Sequence, residues 1–240
     1  MKTIRDAIIS FSTLFIIVAS LALVGCNGSG GNDNNSSTST DTNIPFQIYP
    51  DGYFTEGYTE TYQLTGSDNA GGTYEGSLSI ETQNQELFDG VYAIPVMFSL
   101  EYTNTQDNGV SGSNEIVYYT TDQADRRIIG ERLVDNGVTL TAISTDILPE
   151  TATIGDVGAI GDYSVSYGVT SDATWQLNNA NNGQAYLVIN WNIYTFVPGN
   201  IDTSEQQQYL IDQDGTRLAV LLKLSNPIYG TTLTFSGNLN

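Results

Sequence analysis

Carboxylates are the chain's main means of acid–base chemistry: it carries 27 Asp and Glu residues and no histidine. Without histidine there is no Ser-His-Asp or Cys-His catalysis, and the usual zinc, copper and non-haem iron sites lack their commonest ligand. A glycosidase needs only two carboxyl groups, about 5–5.5 Å apart for retention or 6.5–9.5 Å for inversion. Glu75, Glu81, Glu101, Glu115 and Glu131 are the candidates within strand-like segments. Glu75 and Glu81 share a strand face but stand roughly 20 Å apart along it. Exposed strand carboxylates more often serve solubility and guard edges.

Three other groupings are chemically suggestive. Asp212-Gln213-Asp214-Gly215 has the opening spacing of a calcium loop, but Lys223 stands where the bidentate Glu belongs, so a hairpin turn is expected. Tyr49, Tyr53, Phe54, Tyr58 and Tyr62 form an aromatic cluster that could stack on sugar rings, although Tyr is also a good strand residue. Arg126-Arg127 is the sole basic pair, and Asp122 or Asp125 across a turn is its expected partner. No catalytic residue, metal ligand or cofactor is assigned.

The elements that must position these residues read as strands. Segments rich in Tyr, Thr, Val and Ile run through 58–65, 73–82, 91–103, 115–121, 127–134 and 138–143. They resume at 163–169, 173–177, 184–197, 206–211, 217–224 and 231–235. Leu187, Ile189, Trp191 and Ile193 alternate with polar Asn190 and Asn192, giving one core face and one wet face. Asx-Gly pairs at 51–52, 89–90, 108–109, 136–137, 182–183 and 214–215 supply tight turns. The fold class expected is all-β: an antiparallel meander forming a barrel, half-barrel or sandwich.

The halves carry an internal match. Gly90, Ile94, Val96, Phe98 and Leu100 correspond to Gly183, Leu187, Ile189, Trp191 and Ile193 at an offset of 93. Tyr119, Asp122, Gln123, Arg127 and Ile128 correspond to Tyr209, Asp212, Gln213, Arg217 and Leu218 at an offset of 90. Either two duplicated halves, 58–145 and 161–236, or the common look of alternating hairpins accounts for this.

The first 25 residues have the three parts of an export signal: a short basic start with Lys2 and Arg5, an apolar run from Ala7 to Ala22, and a processing site. Leu23-Val24-Gly25-Cys26 resembles the lipobox of bacterial lipoproteins. That resemblance covers the signal only. It implies cleavage before Cys26, lipidation of Cys26, and attachment to a membrane by two or three acyl chains, enough for stable anchoring. Asn27, rather than the Asp that marks inner-membrane retention, implies an outer-membrane address facing the periplasm or the cell surface.

Residues 27–43 are Gly, Ser, Asn, Thr and Asp with no large apolar side chain, so 26–43 reads as lipidated Cys and flexible tether, about 20–25 Å long on average. Residues 44–240 read as a single β domain. The mature chain would carry 26 acidic and five basic residues, which disfavours nucleic acid and anionic headgroups. With Cys26 the one cysteine, no disulfide forms within the chain. The expectation is a non-catalytic, membrane-anchored domain that binds a ligand or protein partner. In outline it is similar to outer-membrane lipoproteins whose open barrels hold apolar ligands. The alternatives are a carbohydrate-binding module or carboxylate-pair glycosidase, and a surface structural or adhesive subunit.

Overall fold

The structure, a computed structural model, describes residues 44–195 and 200–240. The signal, Cys26 and the tether lie outside the described residues. The elements are β1 (Phe46–Gln47), β2 (Thr59–Asp68), β3 (Thr73–Thr82), β4 (Glu86–Phe88), β5 (Val91–Asn104) and β6 (Val110–Thr120). A short 3-10 turn (Gln123–Asp125) precedes β7 (Ile128–Leu133), β8 (Val138–Thr145), β9 (Thr151–Ala152), β10 (Val157–Val165) and β11 (Thr170–Asn181). The chain ends with β12 (Gln184–Tyr194), β13 (Ile201–Ile211), β14 (Arg217–Asn226) and β15 (Thr231–Leu239).

Twelve of these strands form one antiparallel ring in chain order, with β1, β4 and β9 outside it. Each ring strand pairs with the next, β3 passing directly to β5. The ring closes where β15 returns to β2, with Leu239 opposite Tyr62 and Leu233 opposite Asp68. Closure leaves no free edge in the ring, so the exposed strand carboxylates are not needed as edge guards. The meander is therefore a closed barrel, not a half-barrel or sandwich. Two hairpins show why Asx-Gly sits where it does. Asp89 and Gly90 have φ of 47° and 83°, and Asn182 and Gly183 have 54° and 79°. Positive φ at both positions is what a tight hairpin turn requires.

Alternation along each strand sorts the wall into two faces. Tyr62 and Leu64 on β2 point inward and are buried, whereas Thr61, Gln63 and Thr65 are exposed. On β12, Leu187, Ile189 and Trp191 are buried on the inward face while Asn190 and Asn192 lie on the other. Burying such a Leu, Ile or Phe contributes about 1.5–3 kcal/mol, so the inward set is the main stabilising term. A membrane-spanning barrel is built the other way, with an apolar band outside and a polar interior. A smaller apolar cluster sits outside the wall. Phe88 of β4 stacks on Tyr118 at 4.0 Å, and its ring lies where a side chain on Gly130 would be.

The two ends differ. Among the described residues, one carries the connections after β2, β5, β7, β10 and β14. The other is capped by residues 44–58. Gln47 N donates to Gln213 O (2.9 Å), Ile48 N donates to Glu150 O (3.1 Å), and β1 pairs with β9. Phe46, Ile48 and Tyr53 are buried beneath this cap.

The offset matches fall on β5 and β12 and on β6 and β13, each pair six places apart around the twelve-strand ring. Two duplicated halves require that placement. Strand limits differ from expectation mainly at β10, which starts at Val157, not Tyr163. Gly158 and Gly161 hide it in sequence, and the ladder to β11 shifts register between Ala159 and Gly161.

Candidate functional site

Two polar systems are buried inside the barrel. The first lies under the cap. Arg217 Nη1 meets Glu60 Oε2 at 3.3 Å, with side chains 1% and 3% exposed. Tyr58 and Tyr62 hydroxyls donate to the two Glu60 oxygens at 2.6 and 2.8 Å. The guanidinium carbon lies 4.1 Å from the Tyr209 ring and 4.5 Å from the Tyr53 ring. Desolvation raises the Tyr53 and Tyr209 hydroxyls, with Arg217 opposing it, so neither is a ready nucleophile. Charge here is matched to charge, which suits a structural centre.

Of the two readings of the tyrosine cluster, this geometry favours packing over a sugar-stacking platform. Tyr49, Tyr53 and Phe54 pack on one another with centroids 4.9–5.0 Å apart, and Tyr53 and Tyr62 are buried. Tyr53 and Tyr62 face the barrel interior and Arg217, while Tyr49 and Phe54 are half-buried in the cap. Arg126 also departs from expectation. It turns inward, its guanidinium 4.1 Å from the Phe54 ring, and it donates to Thr120 O. Arg127 does pair with Asp125, at 2.7 Å.

The second system has no such balance. Glu115 on β6, Glu131 on β7 and Glu205 on β13 all point into the lumen, since they share faces with buried Val117, Leu140 and Tyr209. Their walls bound two cavities. One, of about 50 Å³, is lined by all three carboxylates with Ser171, Trp191 and Thr203. The other, of about 30 Å³, shares Glu115 and Glu205 and adds Phe98, Leu100 and Leu222. Strands half way round the ring thus meet across the lumen.

Burial raises all three carboxyls, and repulsion adds to it at Glu115 and Glu131, while a hydrogen bond from Gln207 opposes it at Glu205. Desolvation dominates at each. For Glu115, Glu205 and Glu131 then add repulsion, and Glu131 reaches about 8. Gln207 Nε2 donates to Glu205 Oε1 at 2.7 Å, and its own carbonyl accepts from Tyr209 at 2.9 Å, so Glu205 is held in place. Ser171 is 1% exposed and its Oγ has no partner among the described residues.

Of the carboxylate candidates, Glu75, Glu81 and Glu101 are exposed on the outer wall, where Glu75 and Glu101 are diagonal neighbours across the β3–β5 ladder and Glu81 lies further along β3. Glu115 and Glu131 come together, joined by Glu205, which sequence reasoning missed. Two signals pointed to it: it alternates with Tyr209 and Ile211, and it stands 90 residues after Glu115. A cavity of about 50 Å³ is too small for a sugar ring. Asp212–Gly215 is a turn in which Asp214 accepts from Thr216 N at 3.0 Å. Among the described residues no acidic group of three or more is placed to hold a metal ion. An outer-wall hollow of about 440 Å³ carries one ring, Tyr186, among Gln63, Gln208 and Asn238, and one ring is not a stacking row.

Fold and lumen together define a class: a closed twelve-stranded antiparallel barrel with apolar side chains on its inward face and polar ones outward on β2, β3 and β13. No protein-family model matches the chain, and no curated protein does. Among solved structures it is similar to a candidate lipoprotein from Parabacteroides distasonis ATCC 8503, at 10% identity and a TM-score of 0.32, over 81% of this chain and 99% of that one. A likeness at that score and identity transfers nothing to this chain.

Proposed function

We propose that the chain is a membrane-tethered envelope lipoprotein with a non-catalytic barrel that serves as a binding module. The observation that carries this reading is the orientation of the wall. Thr, Gln and Ser side chains face outward on β2, β3 and β13, so the strands give no lipid-facing band. Attachment then falls to lipid on Cys26, as the Leu23-Val24-Gly25-Cys26 motif implies. Asn27 favours the outer membrane, with the barrel in the periplasm or at the cell surface.

The two carboxyl-lined cavities shift the ligand reading from an apolar molecule to a polar, cationic one. An acyl chain gains nothing beside unpaired carboxyls and does not fit about 50 Å³. The test is lipidation and fractionation. Wild type should incorporate labelled palmitate and sediment with membranes. Cys26→Ala should lose the label and leave the membrane fraction as a folded barrel. A folded, unlabelled Cys26→Ala protein that still sediments with membranes would overturn the tether.

A further inference from the structure

We infer that the lumen between β6, β7 and β13 is a binding site for a primary ammonium group, with Glu115, Glu131 and Glu205 as its counter-charges and Ser171 Oγ as a further acceptor. This goes beyond the lipoprotein reading and does not depend on the tether. Three inward carboxylates, Glu131 buried and Glu115 and Glu205 half-buried, line one cavity. The described basic side chains are committed elsewhere. Arg217 and Arg126 serve the cap, Arg127 pairs with Asp125, Arg132 pairs with Glu86, and Lys223 is exposed on the outer wall. The titratable groups facing the trio from neighbouring strands are Tyr163 on β10, whose hydroxyl donates to Ile128 O, and Tyr209 on β13. Neither supplies positive charge.

The chemistry of the walls selects the ligand class. An ammonium has three donors and no acceptor, and its hydrogen bonds span about 2.7–3.2 Å. A divalent metal ion needs oxygens at about 2.0–2.6 Å and several of them at once. The described carboxylates do not gather that closely. Ser171, 1% exposed with Oγ unpartnered, lines the same cavity and is an independent sign of a missing polar partner. Trp191 lines it too, its ring 5.1 Å from Tyr163, and adds an aromatic face of the kind that favours cations. The volume of about 50 Å³ suits the ammonium and its first carbon. Leu133, Ile193 and Thr203, which line the same cavity, lie near the ends of β7 and β12 and the start of β13, toward the end of the barrel opposite the cap. The same chemistry could arrive as a free alkylamine or as a lysine side chain of a partner.

The experiment uses the detergent-solubilised full-length protein in sodium phosphate near pH 8, with thermal melts and calorimetric titration. The probes are methylammonium, 1,4-diaminobutane and N-acetyl-lysine amide, with tetramethylammonium and potassium chloride at matched ionic strength. A saturating primary amine should raise Tm by roughly 2–6 °C. The rise should be larger near pH 8 than near pH 5, because the site must be deprotonated to attract the cation. Glu205→Gln and Glu131→Gln, which relieve repulsion and so keep the fold, should abolish most of it. Response to methylammonium alone assigns a free amine, and equal response to the lysine amide assigns a side chain. A rise no greater than tetramethylammonium gives, an undiminished rise in Glu205→Gln, or a response to calcium without one to amines would each overturn the site. Cys26→Ala should bind amines as wild type does, so failure of the tether and failure of this site are read separately.

Discussion

Replacing Arg217 with Met should destabilise the barrel by about 3–5 kcal/mol, the usual result of stripping one partner from a buried ion pair. At the size of this chain that corresponds to a fall in Tm of roughly 6–20 °C. The cause is Glu60. Its carboxyl is buried and accepts hydrogen bonds from Tyr58 and Tyr62, which cannot replace the counter-charge of Arg217. Arg217 also offers its face to Tyr53 and Tyr209, so its loss loosens the cap as well as the wall. Arg217→Lys should recover only part of the stability, because a compact ammonium cannot cover two rings and reach Glu60 together. The double variant Glu60→Leu/Arg217→Met should regain most of it, since no buried charge is then left alone. Urea midpoints of the four proteins decide the matter. A single Arg217→Met variant as stable as wild type would mean that Glu60 is neutral in the native state and that the pair is not a charge centre.

This pair also marks the limit of what was legible in the sequence. The strands were readable because alternation is local: Leu187, Ile189, Trp191 and Ile193 declare a core face without help from the rest of the chain. Turns were readable for the same reason, as Asp89-Gly90 and Asn182-Gly183 adopt the positive φ that their types allow. Closure was not readable, because it depends on Leu239 meeting Tyr62 across most of the chain. Glu60 and Arg217 are 157 residues apart, and only closure of the ring through β15 brings them together. The tyrosine cluster was found, but its role stayed open between a platform and ordinary strand packing, since composition cannot tell a platform from a plug. Glu115 and Glu131 were named, but their inward direction depends on register. Glu205 was reachable from the offset of 90, had the repeat been extended upstream to Glu115.

That acidic trio should make the barrel more stable in mild acid than in mild base. Glu131 is raised from 4.5 to about 8, chiefly by burial and then by Glu205. Glu115 is raised well above its ordinary range and Glu205 is raised as well, again with burial first. Between the unfolded and folded values the native state holds more protons than the unfolded chain, so stability falls as pH rises. The contribution is fully present below about pH 4.5 and is lost as pH climbs through about 8. Its size is on the order of a few kcal/mol. Asp202, raised by burial, acts in the same direction. Asp68 and Asp214 are lowered, and their contribution is lost only below about pH 4, so it does not oppose the trend in this window. Urea midpoints in amine-free buffer should therefore drop steadily between about pH 5 and pH 8.5. The drop should shrink in Glu131→Gln and shrink further in Glu131→Gln/Glu205→Gln, leaving the part that the burial of Glu115 supplies. A midpoint that is flat or rises over this range would mean that the three carboxyls are already compensated inside the barrel, and the lumen would then have no unmet negative charge to offer a cation.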